Sequence, residues 1–153
     1  MLQVLSSSPN TERQVHLATQ FYRDLLNRTG EVCCVWSGYP IRSDSNLHID
    51  HMLPFSLWKN NDLWNLMPAR DRINAQKRDA IPSPDCIESR HDAICSYWNL
   101  LAETYPDLFF SEITAALTGK RDPDSDWIKP AFEGLIQKSR YLINIRGYPA
   151  WAL

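Results

Sequence analysis

The sequence predicts an α+β fold, mostly helical, with one small antiparallel β-hairpin near its middle. Three observations predict it. Apolar residues recur at helical spacing in four segments. Two short β-prone runs follow the first of these segments. After Pro54 the pattern keeps neither periodicity.

Thr11 opens the first predicted helix, and Gln14 completes a capping box. Val15, Ala18, Tyr22 and Leu25 then share one face, and Gly30 closes the helix in the left-handed conformation. Residues 31–36, from Glu31 to Trp36, form a β-prone run ended by a turn at Ser37 to Pro40. Residues 46–51 are a second strand, expected to pair with the first across a loop of about ten residues. Residues 55–66 read as an ordered loop anchored by Trp58, Leu63 and Trp64. Pro68 suits the first turn of a helix reaching about Arg78. From Asp85, one long helix carries Ile87, Ile94, Trp98 and Leu101 on its apolar face and stops before Pro106. Phe109, Ile113 and Leu117 mark a shorter helix closed by Gly119. Residues 120–125 are a polar loop, and Ile128, Phe132, Leu135 and Leu142 mark a last helix.

The 153 residues suit one compact domain spanning 1–153. Hydrophobic residues make up 44% and charged residues 22%, which excludes a chain too polar to fold. No apolar run reaches the roughly 18 residues of a membrane helix, so a membrane is not an expected partner. Residues 1–10 lack the basic start and apolar core of a secretory signal, which makes the cytoplasm the default compartment. Of the four cysteines, Cys33 and Cys34 are adjacent, and Cys86 and Cys95 are nine apart. With no CxxC pair, reduced and mostly buried thiols are expected and structural zinc is not.

The informative stretch contains Asp50-His51 at a strand end, then Pro54, Asn65-Leu66, Asn74 and Lys77. Taken singly, these residues have ordinary roles, as turn formers, caps or surface groups. In this order and spacing the sequence resembles the HNH nuclease family, with its ββα-metal fold. The spacing looks especially like the HNH domain of CRISPR RNA-guided DNA nucleases. The stretch from Cys34 to Ile41 is similar to the lead into the HNH hairpin, where many relatives carry CxxC and hold zinc. This chain has Ser37 where the second cysteine would fall. The resemblance covers about 33–79, with helical flanks at 11–29 and 85–145.

The resemblance implies a divalent-metal-dependent endonuclease that cleaves DNA, double-stranded DNA being the expected partner. It leaves a 5′-phosphate and a 3′-hydroxyl. A hard cation needs oxygen ligands, here the Asp50 carboxylate and the Asn74 amide oxygen, which suits Mg²⁺ and tolerates Mn²⁺. His51 is the expected general base, sent by strand alternation to the side opposite Asp50. The resemblance places Asn65 behind it, tying the loop and orienting His51 through the backbone. Lys77 is expected on a phosphate oxygen as a point charge.

Two alternatives remain open on the sequence. One is a catalytically silent nucleic-acid-binding module with the same fold. The other is a nuclease domain of a larger restriction or phage-defence protein. Homodimers and a larger host polypeptide are both compatible with the residues. His48, two before Asp50, reads either as an additional ligand or phosphate contact or as a solvated strand residue. Lys59, Arg70, Arg72, Lys77 and Arg78 face only Asp62 and Asp71 across the motif, whereas residues 83–112 set Arg90 against six carboxylates. Positive charge is thus concentrated beside the motif despite a net charge of −2, as a phosphate-tracking surface requires. Lys59, Arg70, Arg72 and Arg78 are its nucleic-acid-binding candidates.

Overall fold

The computed structural model describes residues 9–58, 61–119 and 126–153. Helix α1, Pro9–Thr29, begins two residues before the expected cap at Thr11, whose side chain lies outside the described residues. Ala18 and Tyr22 on its apolar face are fully buried. It ends as predicted at Gly30, whose φ of 83° lets its N–H reach Leu26 O at 2.8 Å.

The strands pair differently from the sequence expectation. Strand β1, Val32–Cys33, pairs antiparallel with β2, Pro40–Ile41, across the intervening turn. The fold-back is local: Cys34 N–H bonds Tyr39 O and Gly38 N–H bonds Cys34 O, both at 2.9 Å. Gly38 takes a φ of 75°, so glycine is required there. Strand β3, Leu47–His51, instead pairs antiparallel with β4, Leu66–Arg70, matching Asp50 with Met67 and His51 with Leu66.

Pro68 therefore sits in a strand and not in a helix. The reason lies on the outer edge of β4. Pro68 O accepts the Val35 N–H at 2.9 Å, so this residue's backbone groups point away from β3. A missing N–H costs no ladder bond at such a position. Leu66 O and Arg70 N, two residues either side, face the same way, bonded by Tyr22 Oη at 2.9 Å and Cys34 Sγ at 3.4 Å.

Between β3 and β4 the expected loop contains a short helix, α2, Phe55–Trp58, and a 3₁₀ turn, Leu63–Asn65. Helix α3, Asp71–Lys77, follows β4 directly. Strand β5, Ile81–Pro82, pairs in parallel with β6, Ala150–Trp151.

The helix expected from Asp85 is broken in two. Helix α4, Pro84–Ser89, is capped by Ser83 Oγ, which accepts the Cys86 N–H at 3.1 Å. Helix α5, His91–Thr104, starts after Arg90, whose φ and ψ of −109° and 18° leave the helical basin. The break lets Arg90 Nε donate to Val35 O at 2.5 Å. Helix α6, Pro106–Ile113, runs into a π turn, Thr114–Thr118, closed at Gly119 as expected. Helix α7, Ile128–Asn144, crosses that turn so closely that a Cβ on Gly134 would lie 2.3 Å from Leu117 O. The expected loop at 120–125 lies outside the described residues.

The buried side chains of α1, α5, α6 and α7 form one cluster with those of β1 and β4. Trp64 and Trp98 are both fully buried, joined by the Trp98 Nε1–H to Trp64 O bond at 2.8 Å. Each fully buried large apolar side chain contributes roughly 1.5–3 kcal/mol. The helical layer thus gives the β3–β4–α3 unit a rigid back. Among the described residues no helix is long and apolar enough to cross a membrane.

Candidate active site

The end of β3 and one face of α3 meet at an open cleft of about 270 Å³. Asp50 and His51 enter it from the strand, and Phe55 from α2. Asn74 enters from α3, with Arg78 and Asp79 just beyond the helix end. Strand alternation predicts opposite sides for Asp50 and His51, yet both line this one cleft at the strand's end.

Asp50 is 4% exposed. Trp36 Nε1–H donates to its Oδ2 at 2.7 Å, and Lys77 Nζ stands 3.3 Å from the same oxygen. Burial raises the carboxyl above its ordinary range, against the opposing pull of Lys77 and Trp36. Lys77 is buried in turn, and desolvation lowers its ammonium while Asp50 holds it up. Each charge is therefore kept inside by the other. Lys77 also donates to His51 O at 2.8 Å. Lys77, expected on a phosphate oxygen, is instead buried against Asp50 and the His51 carbonyl. Its position on α3 turns the ammonium inward, onto the Asp50-His51 corner.

His51 is half-buried, with Nε2 2.6 Å from Asn61 Oδ1 and its ring 5.7 Å from that of Phe55. Asn65 is fully buried behind it. Asn65 Oδ1 accepts the Leu53 N–H at 2.8 Å and its Nδ2 donates to Leu53 O at 2.9 Å. Its backbone O also accepts the Met52 N–H at 2.9 Å. One side chain thus satisfies both backbone groups of Leu53 and closes the loop onto the residues that follow His51.

The rest of the loop is fixed by acid groups. Trp64 Nε1–H donates to Asp62 Oδ2 at 2.9 Å, which makes this tryptophan an anchor. Leu63 N–H bonds Glu112 Oε1 of α6 at 3.1 Å, and Gln14 Nε2 donates to Glu112 Oε2. The side chain of Trp58 lies outside the described residues.

The other candidate residues are spread around this centre. His48 is turned toward Asp71, with Nε2 3.4 Å from Oδ1, and does not line the cleft. Arg70 lies over the exposed Tyr39 ring at 5.9 Å. Arg72 is exposed on α3, and Lys59 lies outside the described residues. Arg78 is exposed and holds a φ of 50°, uncommon for a side chain with a Cβ. Such a conformation costs about 1–3 kcal/mol and persists only when its surroundings impose it. It ends α3 and leaves Arg78 at the cleft.

Sequence reasoning missed Trp36 and Asn61. Trp36 lies fourteen residues before Asp50, and no periodicity connects them. Asn61 sits in an aperiodic loop, where nothing marks which of Asn60, Asn61 or Asn65 faces the histidine.

The four cysteines are free, and among the described residues no group of three or more His, Cys, Asp or Glu could hold a metal. What the cleft does offer is oxygen: the Asp50 carboxylate and the Asn74 amide. That donor set fits a hard divalent cation with open positions for water or phosphate, and does not suit a thiophilic ion.

No curated protein and no solved structure matches this chain. Residues 34–83, about a third of the chain, match the family model described as HNH endonuclease. The match takes in β2, β3, β4 and α3, and it is to the family at large. Over this segment, which carries the hairpin, the helix and the cleft between them, the chain is similar to the HNH endonuclease family.

Proposed function

We propose that the protein is a divalent-metal-dependent endonuclease that hydrolyses DNA phosphodiester bonds at this cleft. One observation carries the reading: a carboxylate, an imidazole and an amide oxygen from β3 and α3 line a single solvent-open cleft. Asp50 and Asn74 are the residues that would hold Mg²⁺, or Mn²⁺ in its place. When bound, the ion stabilises negative charge on the scissile phosphate and the leaving oxygen.

The chain's own residues do the rest. His51 takes a proton from a water molecule, the water oxygen bonds to phosphorus, and the bond to the 3′-oxygen breaks. The 3′-oxygen gains a proton from solvent, giving a 5′-phosphate and a 3′-hydroxyl. Lys77 and Trp36 hold the Asp50 carboxylate in place. Asn65 holds the loop, and Lys77 also grips His51 through its backbone oxygen. Arg78 at the cleft, with Arg70 and Arg72 on exposed positions nearby in the chain, supplies positive charge for the phosphate backbone.

One observation favours a catalytically silent nucleic-acid-binding module: the charge of Asp50 is already matched by Lys77. Plasmid incubation separates the readings. A nuclease cuts with Mg²⁺, stops with EDTA, and loses both cutting and Mn²⁺ binding in Asp50→Ala and Asn74→Ala. DNA bound but uncut with every divalent ion identifies the silent module.

A further inference from the structure

We propose that Trp151 is a positioning residue for Asp50, its ring on β6 holding the Trp36 indole in the orientation that donates to the carboxylate. The inference deepens the nuclease reading and rests on Asp50 being a metal ligand. The Trp36 and Trp151 rings meet nearly perpendicular, at 77°, with centroids 5.6 Å apart. That edge-to-face arrangement is directional, so it fixes the angle of an indole as well as its place. Trp36 Nε1–H then reaches Asp50 Oδ2 at 2.7 Å. Lys77 Nζ lies 5.9 Å from the centre of the same Trp36 ring. Trp151 does not line the cleft, so its effect on Asp50 passes through Trp36.

The fold brings Trp151 there from outside the matched segment, which ends at residue 83. Strand β5 follows α3, the helix that carries the counter-ion of Asp50. Ile81 N–H bonds Pro149 O and Ser83 N–H bonds Trp151 O, both at 2.9 Å, which sets β6 alongside β5. Ser139 Oγ donates to Pro82 O at 2.6 Å and ties β5 to α7. Trp151 is therefore delivered on anchored backbone, against an indole that is almost fully buried. An indole N–H is a donor without charge. A carboxylate held by such a donor keeps its full charge for Lys77 and for a cation. Loss of a partner that orients a metal ligand typically weakens metal binding about 10- to 100-fold.

Two readouts on the full chain test this. Exchange of the indole N–H groups in heavy water is followed by NMR on ¹⁵N-labelled protein without metal, with Trp36→Phe identifying the Trp36 signal. Trp151→Ala is expected to speed exchange at Trp36 about tenfold. The Trp98 indole, bonded to Trp64 O, should keep its wild-type rate. Mn²⁺ affinity is then measured by calorimetry in a double-mutant cycle. Trp151→Ala should weaken binding about tenfold in the wild-type background. On top of Trp36→Phe it should add less than about twofold, because no indole N–H remains to be aimed. Trp151→Phe should restore both readouts, and Trp151→Leu, which keeps apolar bulk on β6, takes the place of an alanine variant that fails to fold. An equal Mn²⁺ loss in both backgrounds, or wild-type exchange at Trp36 in Trp151→Ala, overturns the proposal. A wild-type chain that binds no Mn²⁺ overturns the metal reading instead, and the exchange rates, which need no metal, still decide whether Trp151 holds Trp36 on Asp50.

Discussion

Lys77 and Asp50 bury one charge of each sign behind the cleft, 3.3 Å apart. Removing one partner from such a pair leaves a charge with neither water nor its counter-ion. Lys77→Met should therefore destabilise the fold by about 3 kcal/mol in urea denaturation. Adding Asp50→Asn should recover part of that loss, since the orphaned carboxylate is then gone. Additive losses in the double variant would contradict the pairing. At this scale the sequence was legible where residues act through neighbours in the chain. Asp50-His51, Asn65 and Asn74 stand in a recognisable order, and the fold gathers Asp50, His51 and Asn74 at one cleft. The inward turn of Lys77 and the bonds from Trp36 and Asn61 were not legible. They depend on which loops the tertiary fold lays together, and spacing alone does not encode that.

Elements were legible where one periodicity ran uninterrupted, as in α1, α6 and α7. They were misread where a tertiary bond overrode local preference. Pro68 reads as a helix start until Val35 is known to occupy the outer edge of β4. Residues 84–104 read as one helix until Arg90 is seen to reach Val35 O. The attachment of the motif loop to α6 was also invisible in sequence, and it carries a pH signature. Glu112 is pushed up to about 8, chiefly by burial and then by the nearby Asp62 carboxylate, from an ordinary value of 4.5. Between those values the folded chain holds a proton that the unfolded chain has released. Stability from this group is therefore complete below about pH 4.5 and is lost as pH rises through about 8. Glu112→Gln should flatten the fall of Tm between pH 5 and 8 relative to wild type. Parallel Tm curves for the two proteins would contradict this.

At the scale of the whole chain, two segments differ in charge. The motif region carries the exposed Arg70, Arg72 and Arg78, while the segment through α4, α5 and α6 is acidic apart from Arg90. A surface of this kind binds DNA mainly by releasing counterions. Replacing Arg70, Arg72 or Arg78 by Ala should weaken binding similarly for unrelated DNA sequences. Each phosphate that is no longer neutralised should reduce the slope of log affinity against log salt by about one. An unchanged slope in the triple variant would place the DNA elsewhere. The helical layer supports this arrangement: its buried face packs on β4 and on the loop before it. The central claim is that His51 takes the proton from the attacking water in the cleft. Single-turnover cleavage of DNA at saturating Mg²⁺ by wild type and His51→Ala, with DNA and Mn²⁺ binding measured in parallel, tests it most directly. The account predicts that binding of both is retained while the cleavage rate falls by about 100-fold or more. A His51→Ala protein that binds and cuts as fast as wild type would contradict it.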